Sequence, residues 1–125
     1  MKKLALIAIA CLFATGCAST TNTDTPEQQQ HTISLSHHKY ISDLDQYGVI
    51  EKWTPSLTGD CEDYALYMQN LLGGQLLVVK TNTGINHVVL QVGDQIIDNM
   101  SRRVYPLSSM THKLIVKVPT TSKFN

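Results

Sequence analysis

The chain has 125 residues, and its 10 lysines and arginines balance its 10 aspartates and glutamates, so the formal charge is zero. No basic patch stands out in the sequence, and nothing therefore points to nucleic-acid binding. A chain of this length supports one small domain with a thin hydrophobic core.

The first 17 residues follow the plan of a bacterial export signal. Lys2 and Lys3 precede an apolar run from Leu4 to Ala14, which is too short for a membrane span of roughly 20 residues. The segment ending at Cys17 also resembles a lipobox, in which the cysteine is acylated and becomes the first residue of the mature protein. We expect a signal peptide over residues 1–17 and a lipid anchor at Cys17. The mature protein would then lie on the periplasmic side of the outer membrane, with simple secretion as the alternative.

Residues 18–32 are predicted to form a flexible tether. From Ser19 to Gln30 the chain is rich in Ser, Thr, Asn and Gln and has no apolar residue, so it cannot bury enough surface to become ordered. The remaining residues, 33–125, are expected to form a single domain that begins with a weakly helical stretch.

A helix is predicted to begin next to Asp60, which suits an N-cap and has Asp63 three residues later, as in an acidic capping box. Gly73 and Gly74 supply the end of this helix. Apolar residues recur between these limits at helical spacing, at Ala65, Leu66, Met68, Leu71 and Leu72. Cys61 then lies in the first turn, where the helix dipole and free N–H groups favour a thiolate.

The hydrophobic period changes after this helix. Short segments rich in Val, Ile and Leu, separated by turn residues, are predicted to be strands: Leu76 to Lys80, His87 to Val92, Gln95 to Met100 and Leu114 to Val118. Helices followed by strands indicate an α+β fold with a small antiparallel sheet.

Cys61 is the one cysteine left for chemistry in the mature chain, since Cys11 lies in the signal core and Cys17 would carry lipid. It cannot form an internal disulfide, so it is either an inert core thiol or a reactive one. A zinc site that uses this cysteine with a histidine and an aspartate is a further alternative, without the usual ligand spacing.

His87 and Asp98 are predicted to meet across a hairpin. A tight turn at Gly93-Asp94 places the two residues on one face as diagonal neighbours, about 7–8 Å apart at Cα. Asp98 sits on an otherwise apolar strand, where an unpaired charge would be costly, so a partner such as His87 is expected. The alternative is that both residues are ordinary structural ones.

Four motifs occur along the chain in this order: Trp53-Thr54-Pro55, Gly59-Asp60-Cys61-Glu62-Asp63-Tyr64-Ala65, His87-Val88-Val89-Leu90 and Ile97-Asp98-Asn99. Together they resemble the bacterial transglutaminase-like cysteine proteinases, whose best-known type is the LapG-like periplasmic protease. This chain would be a short member. The resemblance implies a papain-like, transglutaminase-like fold in which Cys61 is the nucleophile, His87 the general base and Asp98 the residue that orients the imidazole.

The resemblance also implies calcium. In LapG-like enzymes, acidic residues beside the nucleophile bind a calcium ion that activity needs, and the matching positions are Asp60, Glu62 and Asp63. Carboxylate oxygens suit calcium, although the same residues also suit the start of a helix. Because LapG-like relatives cleave surface adhesins, a protein substrate of that kind is implied.

We therefore expect a cell-envelope cysteine peptidase that hydrolyses a protein or peptide amide bond with Cys61, His87 and Asp98. The backbone N–H of Cys61 would hold the oxyanion, with the Trp53 indole as a candidate second donor. Two alternatives stay open. One is a non-catalytic, calcium-dependent binding module on the same fold, and the other is an amide acyltransferase of the transglutaminase type.

Overall fold

The structure is a computed structural model and describes residues 23–119. The predicted signal peptide and the lipobox cysteine Cys17 lie outside the described residues. Between residues 23 and 119, no helix combines the length and the apolar character needed to cross a membrane.

Helices precede the main sheet, as the sequence predicts. The helices are α1 (Pro26–His37), α2 (Asp43–Tyr47) and α3 (Cys61–Leu72). Two very short strands, β1 (Lys39–Tyr40) and β2 (Thr58–Gly59), pair in parallel between them. The main sheet contains β3 (Gln75–Lys80), β4 (Asn86–Val92), β5 (Gln95–Ile97), β6 (Tyr105–Pro106) and β7 (Lys113–Lys117). Its spatial order is β6-β5-β4-β3-β7 and every pairing is antiparallel, so the α+β expectation is confirmed.

The tether predicted over residues 18–32 is wrong from residue 26 onward, because α1 begins there. The Thr25 side chain caps the helix by accepting a hydrogen bond from the Gln28 backbone N–H. Pro26 occupies the first turn, where its missing N–H costs nothing. The buried positions of α1 are all polar: Gln28, His31 and Ser34.

Helix α1 is held mainly by hydrogen bonds to the segment after β5, since its buried side chains are polar. The Gln28 side chain donates to the Arg102 carbonyl at 3.3 Å and accepts from the Val104 N–H at 2.7 Å. The His31 ring bonds to the Ser101 carbonyl at 2.6 Å and to the Tyr64 hydroxyl at 2.8 Å. Composition pointed to disorder because it does not register such distant partners: Tyr64 lies 33 residues away in the chain, and Ser101, Arg102 and Val104 lie 70 or more away.

The main sheet has a hydrophobic cluster on each face. Helix α3 packs on one face, against residues that include Leu76, Val88, Leu90 and Ile97. The other face carries Leu77, Val79, Val89 and Ile96, with Tyr105 and Met110 against them. Side chains alternate between the two faces along each strand. His87, two residues before Val89, therefore shares the face opposite to α3.

Candidate active site

The structure brings His87 and Asp98 together. The predicted turn at Gly93-Asp94 is present, and Val92 pairs with Gln95 on either side of it. His87 Nε2 donates a hydrogen bond to Asp98 Oδ1 at 2.7 Å, and both residues are at least 95% buried. A histidine beside a buried carboxylate is the arrangement by which an imidazole is oriented in nucleophilic hydrolases.

The Asp98 carboxylate accepts four hydrogen bonds from residues that the structure describes. Besides His87, Oδ1 accepts from the Met100 backbone N–H at 2.9 Å. Oδ2 accepts from the Tyr105 hydroxyl at 3.1 Å and from His112 Nε2 at 3.2 Å. Burial by itself raises the pKa of Asp98, but the hydrogen bond and charge of His87 and the other donors lower it to about 2. This carboxylate is therefore ionised throughout the ordinary pH range.

The sequence did not predict that Tyr105 and His112 contact Asp98. They lie 7 and 14 residues after Asp98, beyond the hairpin, so no local pattern relates them to it. The two histidine rings also meet edge to face, with centroids 5.5 Å apart.

Cys61 is the first residue of α3, as predicted, and is partly buried. Its thiol donates a hydrogen bond to Glu62 Oε2 at 3.2 Å. Among residues 23–119, no hydrogen bond joins Cys61 to His87. Asp60 is the N-cap residue but its side chain makes no capping hydrogen bond, so the predicted capping box is not formed on that side.

The expected lowering of the pKa of Cys61 is wrong for this arrangement. Burial raises the pKa of the thiol well above its ordinary value, and the nearby Glu62 and Asp60 carboxylates raise it further. The backbone N–H of Val88, which faces the sulfur, opposes this only in part. Burial and a hydrogen bond shared with Asp60 in turn raise the pKa of Glu62 to about 9. The helix dipole is outweighed mainly because burial removes the thiolate from water, and the neighbouring acidic groups add to this effect.

Cys61 lies beside the strand that carries His87. The Val88 N–H that faces the sulfur belongs to the residue after His87 on β4. One side of β4 is paired with β3 from Asn86 to Gln91, whereas the ladder with β5 ends at Leu90. The sulfur therefore lies beside the edge of β4 that β5 leaves unpaired. It is close to the plane of the sheet and next to the His87 backbone.

Three buried carboxylates form an acidic cluster near the start of α3. Asp43, Asp60 and Asp63 each offer an oxygen, and these oxygens lie within 4.8 Å of one another. Among residues 23–119, one buried oxygen of each residue has no hydrogen-bond partner: Asp43 Oδ1, Asp60 Oδ1 and Asp63 Oδ2. Burial raises the pKa of Asp63 to about 6, and neighbouring carboxylates contribute.

This acidic cluster fits a hard cation. Calcium takes 6–8 oxygen ligands, with carboxylates as the usual charged ones, and unpartnered buried oxygens are costly without one. The acidic cluster differs in one member from the calcium ligands predicted from sequence, Asp60, Glu62 and Asp63, and calcium binding stays a prediction. Asp43 lies in the cluster, whereas Glu62 lies outside that group and faces the Cys61 thiol. Asp43 is brought in from α2 by the fold, so adjacency to the cysteine in sequence could not identify it.

His87, Asp98 and His112 also have ligand atoms within 4.8 Å of one another. Here the two Nε2 atoms are already hydrogen-bonded to the two oxygens of Asp98. The arrangement is thus accounted for without an ion, unlike that of the three aspartates.

The Trp53 indole, predicted as an oxyanion donor, donates its Nε1–H to Glu51 at 3.0 Å. Its ring packs against the hydrophobic cluster that includes Cys61. Trp53 therefore lies near the start of α3, but its N–H would have to leave Glu51 to reach an oxyanion. Its role stays a prediction.

Gly59 is required by the acidic cluster, because a Cβ there would overlap the Asp63 carboxylate. We expect Gly59→Ala to destabilise the protein by about 1–3 kcal/mol, as overpacking does. Urea unfolding measures this, with Thr58→Ala on the same strand as the matched control. An unchanged unfolding midpoint in Gly59→Ala would contradict the close approach.

One protein family matches most of the chain. The family model of the bacterial transglutaminase-like cysteine proteinases (BTLCP) aligns with residues 17–123. No curated protein matches the chain.

Proposed function

Because the chain belongs to the bacterial transglutaminase-like cysteine proteinase family, we propose that it is a cysteine peptidase with Cys61 as nucleophile and His87 and Asp98 as its catalytic partners. The observation that carries the proposal is the buried His87–Asp98 hydrogen bond on the strand beside which Cys61 lies. Membership of the family implies a protein or peptide substrate.

In the proposed reaction, His87 takes the proton of the Cys61 thiol, and the sulfur attacks the carbonyl carbon of the scissile amide. The C–N bond then breaks, the amine leaves with the proton from His87, and a thioester remains on Cys61. Water activated by His87 hydrolyses the thioester and restores the thiol. Asp98 holds the imidazole tautomer and stabilises its protonated form. The Cys61 backbone N–H at the start of α3 would donate to the oxyanion, with Trp53 as the candidate second donor.

The thiol must first leave Glu62 for this reaction to begin, since its hydrogen bond to that residue and the surrounding negative charge keep it protonated. We propose that Asp43, Asp60 and Asp63 hold calcium, whose two positive charges would offset their negative charge. Asp60 would then no longer raise the pKa of Cys61. The unpartnered oxygens of the three residues support this proposal.

The location and substrate rest on the N-terminal sequence and the family. We propose that residues 1–17 export the protein, that Cys17 carries a lipid anchor, and that the enzyme acts on the periplasmic side of the outer membrane. A surface adhesin is the proposed kind of substrate.

One observation favours a second candidate function, a calcium-dependent binding module without catalysis. The Cys61 thiol is hydrogen-bonded to Glu62 and not to His87, as an unused thiol would be. Acyl transfer to an amine uses the same groups as hydrolysis and differs only in the final acceptor.

The test is the rate at which iodoacetamide alkylates Cys61 in the full chain between pH 5 and 9, followed at the Cys61 peptide by mass spectrometry. With calcium we expect rapid alkylation at pH 6, where an ordinary thiol of pKa about 8.5 is barely ionised. With a chelator we expect slower alkylation at pH 6, because the Asp60 carboxylate then adds to burial and Glu62 in raising the pKa of Cys61.

His87→Gln separates the two candidates. In the peptidase it should remove the rapid alkylation at pH 6, whereas the exposed His37→Gln should leave it intact. A wild-type rate that rises only near pH 8–9 with calcium present, and is indifferent to His87, would favour the binding module.

A further inference from the structure

The two oxygens of Asp98 have different partners. Oδ1 faces His87 Nε2 at 2.7 Å, and Oδ2 faces both the Tyr105 hydroxyl at 3.1 Å and His112 Nε2 at 3.2 Å. The carboxylate is thus held from both sides. His87 is almost fully buried, whereas the His112 side chain is 17% exposed.

We propose that His112, together with Tyr105, is a positioning residue that fixes the Asp98 carboxylate so that Oδ1 stays directed at His87. This inference rests on the proposed function, and it extends the Cys-His-Asp set by a second histidine on the far side of the aspartate. His112 comes from the segment before β7, which the family motifs do not cover.

Rotation of the carboxylate is the reason that such support matters. The terminal torsion of an aspartate is broad and nearly two-fold, so one hydrogen bond leaves its plane poorly defined. Donors on both oxygens define the plane, and charge-assisted hydrogen bonds are stronger than neutral ones. The Oδ1 lone pair is then kept in line with the His87 N–H.

The protons also fit this arrangement. His112 must carry a hydrogen on Nε2 to donate to Asp98, and its buried Nδ1 has no hydrogen-bond partner in the part of the chain that the structure describes. The Nε2–H of His112 therefore supports the Asp98 carboxylate at the oxygen that does not face His87. The Tyr105 hydroxyl keeps its proton, and so remains a donor to Asp98 Oδ2, because burial raises its pKa.

Water can reach this side of the aspartate. A cavity of about 310 Å³ is open to solvent, and its wall includes Asp98, Tyr105 and His112. Removal of either donor would let water compete for Oδ2 and loosen the carboxylate.

The experiment compares His112→Phe, which keeps a ring but loses the donor, with His112→Gln, whose amide N–H lies close to the position of Nε2. NMR titration of the His87 imidazole, assigned with His87→Gln, is run beside Cys61 alkylation at pH 6 with calcium. For His112→Phe we expect about a tenfold fall in the proton affinity of His87 and in the alkylation rate, since a carboxylate that can rotate no longer keeps Oδ1 in line with the His87 N–H. His112→Gln should stay within about threefold of wild type.

A His87 proton affinity within twofold of wild type in His112→Phe would overturn the inference. If that affinity falls tenfold while alkylation of Cys61 is unchanged, His112 does position Asp98, and it is the catalytic role of His87 that fails. Should His112→Phe not fold, Tyr105→Phe removes the other donor to Oδ2 and keeps its ring. We expect a several-fold fall in the His87 proton affinity there, and no fall would overturn the inference.

Discussion

Asp98→Asn is expected to reduce alkylation of Cys61 at pH 6, with calcium present, by about 100-fold, the ratio between an activated thiolate and an ordinary thiol of pKa about 8.5. The physical reason is the loss of the charge that stabilises protonated His87. In addition, an asparagine amide has one oxygen that accepts and one NH2 group that donates. The NH2 group would therefore face existing donors in either orientation. These donors are His87 and Met100 at the position of Oδ1, and Tyr105 and His112 at the position of Oδ2. Asp94→Asn, in the exposed hairpin turn, is the control. Equal rates in Asp98→Asn and wild type would exclude Asp98 from the catalytic set.

The same substitution should alter the dependence of stability on pH. The pKa of Asp98 is lowered to about 2 in the folded protein, so its ionised form stabilises the fold above the pKa of the unfolded chain, about 3.9. This contribution, about 2–3 kcal/mol, is lost progressively as the pH falls from about 5 to about 1. Urea unfolding should show this loss in wild type, and the loss should be absent in Asp98→Asn. A wild-type stability that does not change between these pH values would contradict the lowered pKa.

Asp63→Asn is expected to change stability in opposite directions with and without calcium. Without calcium, the amide would replace an unpartnered oxygen with a donor facing Asp43 and Asp60, and the Thr54 N–H could still bond to the remaining oxygen. Relief of repulsion and a satisfied polar group should stabilise the variant by about 1–3 kcal/mol at pH 7. The sign agrees with the pKa of Asp63, raised to about 6, because a raised carboxyl pKa costs stability as the pH rises towards that value.

With calcium, wild type should gain about 2.7 kcal/mol at a concentration 100 times the dissociation constant, and Asp63→Asn should gain much less. Thermal unfolding with calcium or chelator measures both effects. Asp94→Asn again serves as the control, since it changes the same formal charge outside the cluster. A wild-type melting temperature indifferent to calcium would remove Asp43, Asp60 and Asp63 as its ligands.

Local patterns predicted much of the candidate site. The start of α3 next to Asp60 and its end at Gly73 follow from residues within one helix. The pairing of His87 with Asp98 follows from a two-residue turn and the two-residue period of strands, which together determine the register. These features depend on neighbours in sequence, so the sequence by itself contains them.

Contacts between distant segments decided the rest. Helix α1 is ordered by partners after β5, Asp43 enters the acidic cluster from α2, and His112 reaches Asp98 from the segment before β7. The state of the Cys61 thiol belongs to this group as well. Its position in α3 is local, but its raised pKa results from burial and from nearby carboxylates. Burial and charge proximity exist only once the segments have packed, so only the tertiary structure determines how these groups act on one another.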